Sequence, residues 1–230
     1  MRRGCQPVVL FGILMATNGC WKSGATPEVS PDRFCAIKLE QIGRAVAEYR
    51  SEHGDLPQAT LDPGGFRRSW RVVLAPYLLA HSLHPGNIDY KEAERWDSPH
   101  NRVAFENSFL MGCFTCPLES RHGNYPFTSY IMLVRPGAHS EGAAKAPPPS
   151  LPGEAVLIVE SAHCDIKYAE PKDLDWDALW QGGSPFGPGK LNSLHPKIVR
   201  AVRVDGVVIE IPKTIGRDAL RDLLDGRTKK

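Results

Sequence analysis

The first residues of this chain whose type and spacing could do chemistry are Cys113-Phe-Thr-Cys116. A Cys-x-x-Cys pair works as a redox dithiol when it sits at a helix N-terminus after a strand, where the helix dipole lowers the thiol pKa. Pro117 could open such a helix, but no βαβ pattern surrounds it, so a structural role is expected. Zinc would need a second ligand pair at close spacing. Cys35 and Cys164 are isolated and only His163 adjoins a cysteine, so no metal is expected. Ser161, His163 and Asp165 alternate, which on a continued strand would project them from one face about 7 Å apart. Proton relay needs contacts near about 3 Å, so they form no triad with one another. Residues 183–190 approach a phosphate-binding loop, but Ser184 and Leu191 stand where glycine and Ser or Thr are required. Glu160 ends the apolar run Ala155–Val159, where a carboxylate is costly unless solvated or paired. It is a candidate ligand or structural anchor, with an ion pair or a backbone hydrogen bond the expected use. Trp70 and Trp96 are candidate stacking residues for a glycan if exposed, and core covers if not. The eight histidines show no ligand spacing, and His53 and His195, next to Gly and Pro, read as turn or cap residues. No catalytic residue and no cofactor is expected.

These groups sit behind an export-like N-terminus. Arg2 and Arg3 precede an apolar run of nine residues, Val8–Ala16. Such a run spans roughly 14 Å as a helix, about half a bilayer core, so it reads as a signal rather than a membrane span. Gly19-Cys20 then resembles the lipobox of bacterial lipoproteins, with Cys20 the lipidated residue. The expected organisation is a signal peptide over 1–19, a tether over 20–30, and one domain over 31–226. Within that domain, a Pro/Gly-rich loop over 135–153 is expected to be mobile. Loss of Arg2 and Arg3 takes the 28 basic residues to 26, against 26 acidic ones. That balance, with no block of like charge, excludes a nucleic-acid partner bound through phosphates.

Cys35, Cys113, Cys116 and Cys164 remain after export, an even number that favours two disulfides. Three pairings are open. Cys113–Cys116 closes the shortest loop and gains least. Cys35–Cys116 is favoured because it ties a helix to the body, with Cys113–Cys164 next.

That helix is the clearest element of the chain. Cys35, Leu39, Ile42, Val46 and Tyr49 recur at steps of four and three. Ser30 suits the N-cap, Pro31 the first turn, and Gly54 the C-terminus. Residues 70–79 fit a short helix that Pro76 must kink or end. Tyr130–Val134 and Ala155–Val159 read as strands. Two alternating runs flank Asp205-Gly206, a dipeptide that favours a type I′ hairpin. That turn puts Val202, Val204, Val207, Ile209 and Ile211 on one face. Thr214 is the expected cap of a last helix ending at Gly226. With 21 glycines and 20 prolines, the expected class is loop-rich α+β.

The order of these landmarks is similar to that of a large planctomycete pseudopilin-like family of unknown function. Its opening resembles Cys35, Leu39-Glu40-Gln41-Ile42-Gly43, Tyr49 and His53-Gly54. Further matches follow in order: Ser69-Trp70-Arg71, Pro76-Tyr77-Leu78, Trp96-Asp97-Ser98-Pro99, Cys116-Pro117, Glu160, Glu170-Pro171-Lys172-Asp173-Leu174, His195-Pro196 and Asp205-Gly206. The resemblance implies a pilin-like fold, an N-terminal amphipathic helix packed on an antiparallel sheet, with a short C-terminal helix. Members usually open with a prepilin-type leader whose apolar helix runs on into the domain. Here the apolar stretch ends at Ala16 and a polar tether intervenes. Lys38 replaces the family's asparagine, and Val207 follows Asp205-Gly206 where serine is common.

The expected function is therefore that of a non-enzymatic, lipid-anchored cell-envelope protein in a structural or interaction role. Its expected partners are the membrane, through the lipid, and other envelope proteins or an extracellular polymer. A glycan- or solute-binding module is the alternative, and a hydrolase using Glu160 and nearby polar residues comes third.

Overall fold

The computed structural model describes residues 30–57, 60–61, 65–80, 88–106, 110–119, 127–135 and 151–227. The signal peptide, Cys20, the tether up to residue 29 and residues 136–150 of the expected mobile loop lie outside the described residues.

Helix α1 spans Pro31–His53. The Ser30 hydroxyl accepts from Arg33 N, and Pro31 takes a position where no amide hydrogen is required. Gly54 closes the helix with φ 70°, its N–H donating to Arg50 O. Cys35, Leu39, Ile42, Ala45 and Val46 are all buried. Helix α2, Trp70–Ala80, continues through Pro76 rather than ending there. Proline removes one hydrogen bond, to the Val72 carbonyl, and the helix's packed apolar side offsets that loss. A two-strand ribbon of β1 (Thr60–Leu61) and β2 (Arg67–Arg68) precedes it. In Trp96-Asp97-Ser98-Pro99, the Ser98 hydroxyl accepts from Asn101 N at 3.1 Å and opens α3, Pro99–Glu106. Helix α4 is Leu110–Phe114.

The main sheet holds β3 (Tyr130–Val134), β4 (Val156–Glu160), β5 (Leu174–Asp175), β6 (Ile198–Arg203) and β7 (Val208–Pro212), in the order β5-β3-β4-β6-β7. All pairs are antiparallel except β3 with β5. Helices α5 (Trp176–Trp180) and α6 (Arg217–Leu224) complete the α+β fold. Gly216, not Thr214, occupies the α6 N-cap, without a side-chain cap bond. Among the described residues, no helix is long and apolar enough to cross a membrane.

The β6–β7 hairpin differs from the expected one. Val202 pairs with Val208 and Ala201 with Ile209, one residue off the type I′ register. Type I′ needs positive φ at both central residues, and here only Gly206 has it, at 84°. Arg203 N donates to Val207 O and Gly206 N to Arg203 O, which makes a three-residue loop with glycine in the left-handed position. A one-residue slip exchanges faces. Val202, Val204 and Val208 therefore pack with α1 in one core, whereas Val199, Ala201, Ile209 and Ile211 pack with α5 and α6 in a second. Both faces of the sheet are covered. Helix α1 crosses the hairpin so closely that a Cβ on Gly206 would lie 2.5 Å from the Gly43 carbonyl oxygen.

Cys35 and Cys116 are disulfide-bonded, tying α1 to the segment after α4 across 81 residues. An unstrained disulfide is typically worth about 2–4 kcal/mol. The second expected bridge does not form, since Cys113 and Cys164 are both free. Cys164 Sγ instead donates to Thr128 O at 3.0 Å, and Cys113 is buried with Lys38 as its charged neighbour.

Candidate functional site

Strand β4 is buried throughout and delivers Glu160 to the edge of the core beneath the first turn of α1. Glu160 Oε2 accepts from Arg200 N at 2.8 Å, and its backbone carbonyl accepts from Asn192 N. His195 Nε2 lies 3.4 Å from Glu160 Oε1, while His195 Nδ1 meets Asp32 Oδ1 at 2.8 Å. Arg200 NH1 donates to His195 Nε2 at 2.8 Å, so the ring carries its proton on Nδ1 and donates it to Asp32. Arg200 NH2 also reaches Asp32 Oδ1 at 2.9 Å and Glu210 Oε1 at 3.1 Å. The Arg200 hydrogen bond holds the Asp32 carboxyl below the ordinary carboxylate range. Desolvation works against the Arg200 charge, but bonds to Asp32 and Glu210 and the Glu160 charge outweigh it and raise its pKa. Tyr130, opposite Glu160 in the sheet, is pushed well up by burial and then by the Glu160 charge. The Cys35–Cys116 bond borders the same cluster.

The cluster joins the start of α1 to β4 and β6, with Asp32 and Glu210 at its solvent edge and the other side chains buried. Glu160 is 2% exposed, and His195 and Arg200 are each 3% exposed. The residues a hydrolase would want, Glu160 with a histidine and an aspartate, are together, but Glu160 and His195 are buried and only Asp32 reaches solvent. A groove of about 230 Å³ over α2, lined by Val72, Pro76, Leu79 and Tyr90, contains neither Glu160 nor His195.

The chain after Glu160 turns instead of continuing as a strand, because His163 and Asp165 adopt φ of 58° and 54°. Buried Glu119 holds this turn. It accepts from His163 N at 2.6 Å and from the Ser129 hydroxyl, which in turn accepts from Cys116 N. Ser161 is buried, and its hydroxyl has no hydrogen-bond partner among the described residues. In Cys113-x-x-Cys116, Cys116 is bonded to Cys35, and burial raises the Cys113 thiol. Burial pushes Cys164 up to about 11, the opposite of a reactive thiolate. Lys190, the lysine of the rejected phosphate loop, folds back onto the carbonyls of Leu179, Gln181 and Ser184.

The tryptophans are mostly occupied. Trp70 is fully buried, donates from Nε1 to Asp173 Oδ1 at 2.9 Å and meets Phe114 edge-on. Trp96 is half-buried against the first core. Trp176 is buried under Arg135, and Trp180 lies under Arg217 and Arg221.

A second buried polar node centres on Arg71 and Asp173, whose side chains are 0% and 4% exposed. Arg71 NH2 donates to Asp173 Oδ1 at 2.9 Å and to Tyr130 O at 2.9 Å, and Met132 N donates to the same carboxylate oxygen. Burial raises the Asp173 carboxyl, and the Arg71 charge and the N–H donors pull it back.

The sequence singles out Glu160, Cys35, Cys116 and Trp70, but not Asp32, Arg200 or Glu119, and His195 reads there as a turn or cap residue. Arg200 carried a usable signal, a cation inside an apolar strand between Val199 and Ala201. Asp32 sits in the first turn of a helix, where an acid has a local reason to be. Nothing local points from it to His195.

The profile of a family described as "Protein of unknown function (DUF1559)" matches residues 34–150. No curated protein and no solved structure matches the chain.

Proposed function

This chain belongs to that DUF1559 family, and from that premise we propose that it is a non-enzymatic, lipid-anchored cell-envelope protein whose pilin-like domain has a structural or interaction role. The observation that carries the reading is that the ordered landmarks of the pseudopilin-like resemblance find one another inside the fold. Cys35 bonds Cys116, and Gly43 lies against Gly206. His53 Nε2 sits 3.0 Å from the Tyr77 hydroxyl. Arg71 pairs with Asp173, Ser98 opens a helix, and Glu160 meets His195. Each landmark fastens one element to another. Cys35, Cys116, Arg71, Glu160 and His195 are buried, whereas the His53–Tyr77 contact lies at the surface. The packing of α1 against β6 and β7 is what a pilin-like domain requires.

The address rests on Arg2-Arg3, Val8–Ala16 and Gly19-Cys20. Its partners on this reading are the membrane, through the lipid, and other envelope proteins or an extracellular polymer. Glycan binding draws less support, because Trp70 and Trp176 are buried. The test is Cys20→Ser in the native host. The variant should leave the membrane fraction or remain unprocessed, and unchanged fractionation with unchanged mass would rule lipidation out.

A further inference from the structure

We propose that the buried part of the cluster beneath α1 is also a latent zinc site, formed by Cys35, Cys116, Glu160 and His195 once the Cys35–Cys116 bond is reduced. One ligand atom from each residue lies within 4.8 Å of all the others, and all four residues are buried. Tetrahedral zinc, with bonds of about 2.0–2.3 Å, holds its ligand atoms roughly 3.3–3.8 Å apart. Side-chain shifts on the order of 1 Å therefore complete the site.

An independent observation points the same way. Glu160 Oε1 is buried and has no hydrogen-bond partner among the described residues, an arrangement that leaves a carboxylate oxygen with capacity to spare. It faces His195 Nε2 at 3.4 Å. His195 is itself oriented as a ligand, because Nδ1 is engaged by Asp32 and the lone pair is left on Nε2. A carboxylate behind a histidine is the usual outer partner of a zinc-bound imidazole. Arg200 NH1 now occupies that lone pair and would have to release it, keeping Asp32 and Glu210 through NH2. Its charge remains useful. Two thiolates and Glu160 carry three negative charges against two on zinc, and Arg200, which the site shares with Asp32 and Glu210, offsets part of the remainder.

The chemistry balances with a dithiol as reductant. Two electrons and two protons convert the Cys35–Cys116 bond to two thiols, and the dithiol leaves as its own disulfide. Zinc then releases both thiol protons to solvent as the two Zn–S bonds form. The same junction would thus be held by a disulfide when oxidised and by a metal when reduced.

The full mature chain, oxidised or reduced with a phosphine that ends as its oxide, is loaded with zinc, gel-filtered and assayed for metal. The reduced protein should retain one more equivalent than the oxidised protein. Cobalt in place of zinc should give the intense d–d bands of a tetrahedral site with thiolate charge transfer. Peptide mapping should find Cys35 and Cys116 shielded from alkylation until the metal is chelated. Glu160→Gln should lose the extra equivalent, and Asp32→Asn should weaken retention by about 10–100-fold. Cys113→Ser and Cys164→Ser should retain it. Equal retention by oxidised and reduced protein overturns the proposal, as does wild-type retention by Glu160→Gln and Cys116→Ser. If reduction unfolds the chain, zinc must restore the native circular dichroism, and failure to do so also overturns the proposal.

Discussion

Gly43→Ala should destabilise this protein even though it replaces a glycine inside a helix. In an open helix interior the exchange favours alanine by about 1 kcal/mol. Here the added Cβ would run into the Gly206 carbonyl oxygen, with the carbonyl carbon at 3.1 Å and Val202 Cγ1 at 3.5 Å. The obstacle is backbone, and it is held by the Gly206 N–H donated to Arg203 O at 2.9 Å. No flexible side chain can yield. Overpacking of this kind costs about 1–3 kcal/mol, and so deep an overlap belongs at the upper end. After the gain in helix propensity, a net loss of about 1–2 kcal/mol remains. For a chain of this size that lowers Tm by roughly 2–8 °C. Urea titration followed by tryptophan fluorescence should show a lower midpoint at an unchanged slope. Gly112→Ala is the matched control, because nothing among the described residues lies within 4 Å of its added Cβ in α4, and it should gain up to about 1 kcal/mol. A Gly43→Ala protein as stable as the wild type would refute the close crossing of α1 over the hairpin.

Two further outcomes follow from the polar nodes. Arg71→Met leaves the Asp173 carboxylate buried without its cation and should cost about 3–5 kcal/mol by urea denaturation; a loss below about 1 kcal/mol would mean that the pair is not buried in solution. The Asp32 carboxyl is held below its unfolded value, so its contribution to stability is present above about pH 3.9 and fades as pH falls through the folded value. With its side chain 60% exposed, that contribution is about 0.2–1 kcal/mol. The stability gap between wild type and Asp32→Asn should therefore close below about pH 4, and a gap constant from pH 7 to 3 would contradict the assignment.

The sequence was most legible where the cause is local. Helix α1 is written in its cap, its spacing and its terminal glycine, and its ends fall where Ser30 and Gly54 put them. The hairpin was half legible. Asp205-Gly206 marks the turn, but the choice between two- and three-residue loops depends on fitting Gly206 against Gly43, a contact between distant parts of the chain. The cysteines divided in the same way. Cys35 lies on the inner face of a recognisable helix, which favours a bridge to the body. Cys164 follows a strand whose end is bent by the positive φ of His163 and Asp165, and no periodicity foretells that bend. The polar cluster was the least legible part. Glu160 stood out by its cost, whereas Asp32, His195 and Arg200 gain meaning only when α1 is laid on the sheet.

The central claim is that α1 spends its apolar face inside its own domain, with Ile42 and Val46 both 0% exposed, and is fastened there rather than offered to a polymer. A filament built on packed helix stems would draw on large aliphatic side chains worth roughly 1.5–3 kcal/mol each, and these are already used. The most direct measurement is sedimentation velocity with electron microscopy on a soluble protein beginning at residue 27, at the highest attainable concentration. Monomers or small oligomers with no filament are expected. Regular fibres, or a solution structure with Ile42 and Val46 at the surface, would contradict the account.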